Sequence, residues 1–598
     1  MNEPKASAYP GDSAGVTATS AQRECKAERC EISIHIGLFF DGTGNNQDWV
    51  ENPSVNWRQG LMDWWSEKPR NTQTQLQRRC DSNVARLFRA YPDNRLEGYF
   101  RAYIPGVGTP FKDIGEHGPS GLGAAFGAGG DGRINFGMLH VLNSMYGAIS
   151  RNSRPMIDGD AVEALCRLGP ASIDPHTGAP ALSPADRDAL SRVGMDQRGG
   201  LLMDARGFSH RADFFKKQFN DLALRIAACP KPQLVEVFID VFGFSRGAAQ
   251  ARAFCNWMND LVVGDRLAGV TTHLRFLGIF DTVAAVGPGA SMSSFTHGHS
   301  SWGDPSHMRI PARVRHCEHY VAMHENRGAF PLEDARQSGT LPGNCRQYRF
   351  PGMHSDVGGG YAPGEQGREP ERQDAEKLSQ IPLNAMFDAA VAAGVPLNKR
   401  LARAQGGWDC FEVAPSLRQA YDTFLAANGT QERPLRDCLI DYLAWRIAVA
   451  KRHDDLPAVR RASAAERADL VGANRTLKAD LEAIDALEAA AEQPSGLYGH
   501  DPEWQERLRR RVSALSPDAI EIVRRAKAWR PITEAEAQLF ANYCHDSYAG
   551  FKPLDEPAIG RLDLPGRWEP EGYLRYRVRF ENSNTRLTQL PMPASRAA

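Results

Sequence analysis

What this 598-residue sequence lacks narrows its function before any motif is read. It has almost no net charge, with 71 Lys and Arg against 72 Asp and Glu. A nucleic-acid binder carries a basic excess to neutralise phosphates, so that class is disfavoured, as is simple electrostatic attraction to anionic membranes. Nowhere is there an uncharged apolar run of about 18 residues, so nothing is expected to span a bilayer as a helix. The eleven cysteines include no Cys-x-x-Cys pair and no metal-ligand spacing. That pattern reads as mostly reduced thiols and gives no support to a metal site. No Gly-Lys-Ser/Thr follows a glycine-rich turn, so a nucleotide site is not expected either. The first 24 residues, small, polar and Pro/Gly-containing, have no basic head before an apolar block. A secretory signal is therefore not expected, and the chain is expected to be made in the cytoplasm.

What is present begins with size. The length exceeds that of one ordinary domain, and a hydrophobic content of 42% supports a sizeable core with a second module or insertions. Residues 1–30 read as disordered. Period-two or fully apolar runs predict strands over 31–40, 99–104, 233–242, 273–280, 314–322 and 346–350. Helical spacing predicts helices over 83–90, about 134–149 and 214–228. This alternation predicts an α/β fold, a mainly parallel sheet flanked by helices, with ligands at the carboxyl ends of the strands. The catalytic domain is expected over 31–400, with a Pro-, Gly- and Asp-rich insertion near 110–205. A largely helical module is expected over 401–540, including helices at 435–450 and 464–492. Residues 541–598, with a strand-like run at 572–580, are expected to return to the core. The helix at 435–450 reads first as a buried core helix and second as a surface for lipid or a partner.

The densest chemistry lies at Val237–Ala251, where an apolar run ends in Gly243-Phe244-Ser245-Arg246-Gly247 and an Ala-rich helix follows. Gly-x-Ser-x-Gly between a buried strand and a helix is the nucleophile elbow of α/β-hydrolases. The residues two before and two after the serine must be small, or strand and helix collide. A serine hydroxyl needs an imidazole to take its proton and a carboxylate to orient that imidazole. In this fold the chain order is serine, acid, histidine. Asp281 follows the next strand and suits the acid, with Glu325 and Asp334 as rivals. His354 lies in the glycine-rich Phe350–Tyr361 and suits the base, with His545 as its rival. His316, His319 and His324 read as structural, and Asp240, inside an apolar strand, has no role in this reading. One oxyanion donor is expected from the Arg246 N–H. The other is expected from the loop after the first strand, Asp41-Gly42-Thr43. No metal and no cofactor is expected.

Five blocks together, Phe40–Asn46, Ile104–Thr109, Gly243–Ala248, Phe280–Val283 and Gly352–Tyr361, resemble the type VI secretion lipase effectors of the first family, over about residues 31–400. The resemblance implies an antibacterial phospholipase A acting on membrane glycerophospholipids, with Ser245, Asp281 and His354 as its triad. It also implies a spike or adaptor protein for export, a cognate immunity protein in the producer, and delivery to the periplasm and membrane of a target cell. The chain departs from the family's Asp-Glu-x-Arg at His324-Glu325-Asn326-Arg327. Two other functions fit the same residues: a general esterase or thioesterase, and a non-catalytic delivery module that keeps the fold as scaffold.

Overall fold

The computed structural model describes residues 31–47, 80–118, 129–167, 183–195, 211–229, 231–284, 301–428, 433–492, 502–513, 515, 519–551, 573–574, 576–581 and 583–586. The reading of residues 1–30, and parts of the reading of 110–205, lie outside them. Six parallel strands form the central sheet: β1 (Glu31–Phe40), β2 (Tyr99–Ile104), β3 (Gln233–Phe244), β4 (Val270–Phe280), β5 (His316–Ala322) and β6 (Cys345–Phe350). Their spatial order is β2-β1-β3-β4-β5-β6, and a short strand, Arg266–Leu267, pairs antiparallel with β4. The chain runs outward from β1 to β2, then returns to the other side of β1 as β3. Strand order therefore reverses between β1 and β3, which opens a crevice at their carboxyl ends.

Alternation along the strands divides the core in two. Ile34, Ile36, Leu38 and Phe40 of β1, with Val237, Ile239 and Val241 of β3, face helices α1 (Gly130–Ser150), α2 (Arg211–Ala228) and α3 (Arg246–Asn259). Phe39, Phe242 and Phe244 face the other way, onto the helices Asn83–Ala90 and Gln380–Ala392. A strand buried on both faces carries apolar residues at odd and even positions alike, as LFF and VFGF do at the ends of β1 and β3.

The region after 400 is helical, as its periodicity predicts. It nevertheless continues the core of the second sheet face. Leu417, Phe424, Tyr442, Trp445, Leu539 and Phe540 share one apolar cluster with Phe242 and Phe244. The helix Leu435–Val449 is buried on two sides: Tyr442 and Trp445 join that cluster, while Ile440 and Leu443 pack with Leu477, Ile484 and Ile522. With apolar residues packed on both sides, the helix has no apolar face free to dock on lipid. No described helix is long and apolar enough to cross a membrane. Near the end of the chain the strand-like run is a strand only at Arg579–Glu581 among described residues, where it pairs parallel with Leu332–Glu333.

Asp240 has an explanation that its own strand does not reveal. Its carboxylate accepts from Arg275 on β4 at 2.8 and 2.5 Å and from the Tyr91 hydroxyl at 2.8 Å. A buried charge is tolerated when it is paired and its remaining lone pairs are used. The pair pins β3 to β4 below the crevice.

Candidate active site

Ser245 links β3 to α3 at φ 57, ψ −126. A non-glycine residue in this region is strained, and the surroundings must hold it there. They do so by main-chain bonds: the Ser245 N–H donates to Phe280 O at 3.0 Å, and its carbonyl accepts from Val283 N at 3.2 Å. Phe280 and Val283 flank Asp281, so the elbow and the acid's loop are fastened to one another. Both glycines of the motif are needed sterically. A Cβ on Gly243 would lie 2.6 Å from Ala248 Cα, and one on Gly247 would overlap the carbonyls of Phe40 and Asp41.

Asp281 is itself at φ 38. That conformation turns its fully buried carboxylate toward the ends of β5 and β6. Oδ1 accepts from Ala322 N at 2.9 Å. Oδ2 accepts from His354 Nδ1 at 2.6 Å and from Arg577 Nη1 at 2.8 Å. Burial alone would raise its pKa, but the Arg577 guanidinium and the His354 bond outweigh it and hold the carboxyl well below the usual range.

His354 opens a short helical turn, His354–Gly358, after β6. Its N–H donates to Glu325 Oε2 at 3.1 Å, and the preceding Met353 N–H donates to Asp356 Oδ2 at 2.9 Å. The Phe244 ring lies on the imidazole with centroids 4.6 Å apart, which brings the ring to the turn that carries Ser245. Burial lowers the His354 pKa more than Asp281 raises it, so the ring is neutral at rest. Nδ1 is bonded to a carboxylate, which directs the ring's free lone pair to Nε2. That nitrogen is buried and makes no hydrogen bond within the described structure. Asp281 and His354 are thus bonded to each other, and main-chain bonds fasten the Ser245 turn to the loop of Asp281 at the carboxyl ends of the strands; no hydrogen bond joins Ser245 to His354 among the described residues. The arrangement can accept a proton at Nε2 while the carboxylate steadies the resulting charge.

The rival residues occupy other roles. Glu325, held down to about 2 because Arg327 outweighs its burial, pairs with Arg327 at 2.9 Å and accepts from the Ser547 hydroxyl at 3.1 Å. Asp334 pairs with Arg579 at 2.7 Å and Arg336 at 3.0 Å. His545 Nδ1 donates to Asp356 Oδ1 at 2.7 Å, away from Asp281. His316 is exposed at the start of β5. His319 lies between Thr282 and Gln347, and burial lowers it to about 4. His324 accepts from Gly352 N at 2.9 Å among aromatic rings. Among the described residues, no group of His, Cys, Asp or Glu is placed to hold a metal ion.

The loop after β1 lies against the elbow, as the Gly247 overlap requires. Its Gly42 N–H donates to Asp41 Oδ1 at 2.7 Å, and the Tyr103 hydroxyl donates to Asp41 Oδ2 at 2.5 Å. The Asp41 carboxyl is fully buried, which pushes it up to about 6 against the hydrogen bonds it accepts. Next to it the Thr43 hydroxyl is buried without a hydrogen-bond partner in the described structure. Sequence reasoning named the loop of Thr43 but missed Glu325's bond to the His354 backbone and missed Arg577. Only Arg577 left a trace, as a charged residue in an alternating run.

Residues 264–389 match the sequence model of the family described as "T6SS, Phospholipase effector Tle1-like, catalytic domain". That span contains Asp281 and His354 but not Ser245. No curated protein matches the chain. Among solved structures, an uncharacterized protein from Pseudomonas aeruginosa is similar, with a TM-score of 0.61 and 24% identity, over 93% of this chain and 80% of that one. This likeness shows a shared fold. The Tle1 effector bound to the VgrG spike of the type VI secretion system aligns over 66% of this chain and 79% of that one, at 18% identity and a TM-score of only 0.32.

Proposed function

We propose that this chain, which carries a catalytic domain of the Tle1-like type VI secretion phospholipase effectors, hydrolyses acyl esters of membrane glycerophospholipids through an acyl-serine on Ser245. The observation that supports this reading is the buried His354–Asp281 pair, whose Nε2 has no partner among the described residues, together with a strained serine on a turn fastened to the loop of Asp281. Ser245 Oγ attacks the ester carbonyl carbon, and its proton passes to His354 Nε2. The carbonyl π pair moves onto oxygen. Collapse expels the lysophospholipid alkoxide, which takes the proton back from His354. Water then repeats the sequence on the acyl-serine and releases the fatty acid.

The oxyanion is held by the Arg246 N–H, at the positive end of α3, and by the loop of Asp41, Gly42 and Thr43. Within that loop, the Gly42 amide must exchange Asp41 Oδ1 for the substrate oxygen, whereas the Thr43 hydroxyl has no partner to give up among the described residues. His354 held neutral supports its service as base near pH 7. The same reading makes the protein a toxin made in the cytoplasm and delivered to a target cell's periplasm. It is carried by a spike of the kind the Tle1 effector binds and is neutralised in the producer by an immunity protein.

The test is fatty-acid release from phosphatidylethanolamine–phosphatidylglycerol vesicles. Ser245→Ala should abolish it while the melting temperature stays within a few degrees of wild type. Release at the wild-type rate would overturn the reading. Wild-type turnover of short water-soluble esters with none on vesicles would point instead to a small-ester hydrolase.

A further inference from the structure

One charged group at the proposed triad belongs to none of its three residues. Arg577 is buried, and its two terminal nitrogens close a ring with Asp281 and Ala322. Nη1 donates to Asp281 Oδ2 at 2.8 Å and Nη2 to Ala322 O at 2.7 Å, while Ala322 N donates to Asp281 Oδ1 at 2.9 Å. The carboxylate is gripped from both sides and cannot rotate away from His354.

The guanidinium is placed by backbone pairing. Residues 578–580 run parallel to 332–334: Leu332 N donates to Val578 O at 2.8 Å and Asp334 N to Phe580 O at 2.8 Å. Glu333 N donates in turn to Thr282 O at 2.9 Å, so the same short sheet is fastened to the loop of Asp281. Arg579 adds its pair with Asp334 at 2.7 Å. The acid's loop and the strand Arg579–Glu581 are thus one unit, although Arg577 and Asp281 lie 296 positions apart.

We infer that Arg577 is a positioning residue of the catalytic machinery: it fixes the Asp281 carboxylate for His354 and sets the charge against which that imidazole is protonated. The inference rests on the triad proposed above. Its physics is a count of charges. Asp281 faces His354, Arg577, Arg327 and His319, and Glu325 faces His354 and Arg577. With His354 neutral, Asp281 and Glu325 are balanced by Arg577 and Arg327. Protonating His354 leaves an excess cation in a buried site, which burial penalises. Without Arg577 the same protonation would neutralise the site instead. Arg577 therefore keeps the base available at lower pH. It also shares Oδ2 with the imidazole, so the carboxylate favours the imidazolium less than an unshared one would.

The experiment uses the full chain and measures the rate constant for labelling by a fluorophosphonate probe, with vesicle hydrolysis, from pH 4.5 to 9. A rate constant reads only competent molecules, so incomplete folding of a variant does not obscure it. Arg577→Gln should lose at least about tenfold in rate, and its acid limb should move up by about one pH unit or more. Arg577→Lys keeps the charge, so its limb should stay within a few tenths of wild type while the rate falls severalfold from lost bidentate geometry. An Arg577→Gln limb at the wild-type position, whatever its plateau, would reduce Arg577 to a structural residue. A limb shifted equally in Lys and Gln would also overturn the inference. If Ser245→Ala abolishes release while Arg577→Gln leaves the limb unmoved, only this inference fails. Release undiminished by Ser245→Ala would remove the triad itself.

Discussion

Two histidine–carboxylate pairs lie buried within one stretch of this molecule, and by distance alone they are the same object. His354 meets Asp281 at 2.6 Å, and His545 meets Asp356 at 2.7 Å. Asp356 is two residues from His354, so the pairs are interleaved. Their surroundings differ in sign. Burial pushes His354 down, and the Arg577 cation at its acid leaves the imidazolium unneeded. Burial also opposes charge on His545, but Asp356, Glu369 and Glu365 together outweigh it and push that ring up. Glu369 Oε1 stands 4.0 Å from His545 Nε2, and Tyr361 stacks on the ring at 3.8 Å. On the proposed reading one imidazole serves as a neutral base, while the other, pushed toward its charged form, serves as a clamp. The clamp has an identifiable load: Asp356 Oδ2 also accepts from Met353 N and His545 N, the turn from which His354 projects. A dyad is thus assigned its job by the charges around it.

The largest expected effect separates the two rings by activity. His354→Ala should lower fatty-acid release by about 10⁴-fold or more with little change in melting, as loss of a triad base does. His545→Gln should do the reverse, costing about 3 kcal/mol of stability through the broken buried pair. What remains folded should keep activity within about tenfold, because no reacting atom is touched. Denaturant melts and hydrolysis on the same samples check both. A folded His545→Gln protein as inactive as His354→Ala would erase the distinction.

A smaller effect tests the charge on the clamp. A group that binds its proton more tightly when folded contributes stability that is complete below its unfolded value, near 6.5 for histidine. That stability is lost as pH rises through the folded value. His545 is such a group. Glu369, pushed up to about 7 by burial despite His545, also holds its proton more tightly when folded and acts in the same direction. Wild-type stability should therefore decline from pH 6 to 9. Glu369→Gln keeps an acceptor for Gly364 N but removes one of the two protons and weakens the other's hold. Its curve should be flatter, by on the order of 1 kcal/mol across that range. Parallel curves would mean that the cluster does not take up a proton on folding.

Much of this site was legible as types and spacing. The strands over 31–40 and 99–104 and the helix over 83–90 coincide with the observed elements, because apolar periodicity is a local property. Gly243, Ser245 and Gly247 declared the elbow because steric demand there falls on adjacent residues. The choice between His354 and His545 was harder, since each has carboxylates nearby and the deciding ones, Glu365 and Glu369, join His545 only after folding. Arg577 was harder still. In GYLRYRVRF its alternation with apolar residues reads as the wet side of a strand, and only pairing with 332–334 turns it inward. Asp240 offered a missed signal: it and Arg275 each interrupt an apolar strand, and opposite charges in adjacent buried strands explain one another. The helices after 400 were visible by period, but nothing local to them reveals that Tyr442 and Phe540 complete the core behind Phe244.

The smallest expected effect concerns the aromatic neighbours, and it sharpens the comparison most directly. Tyr361 lies flat on His545, 12° from parallel, whereas Phe330 meets His354 nearly edge-on, at 67° and 5.0 Å. An aromatic face carries negative potential, so face-on stacking stabilises an imidazolium more than a neutral ring. Tyr361→Leu should cost about 1 kcal/mol at pH 6, and less toward pH 9, as rising pH takes the proton from His545. Tyr361→Phe keeps the ring and should retain most of that difference, which assigns it to the aromatic face and not to the hydroxyl. Phe330→Leu should carry a penalty that changes less with pH, because burial disfavours charge on His354. If Tyr361→Leu costs the same at both ends, the stack is packing alone and His545 differs from His354 in position, not in charge.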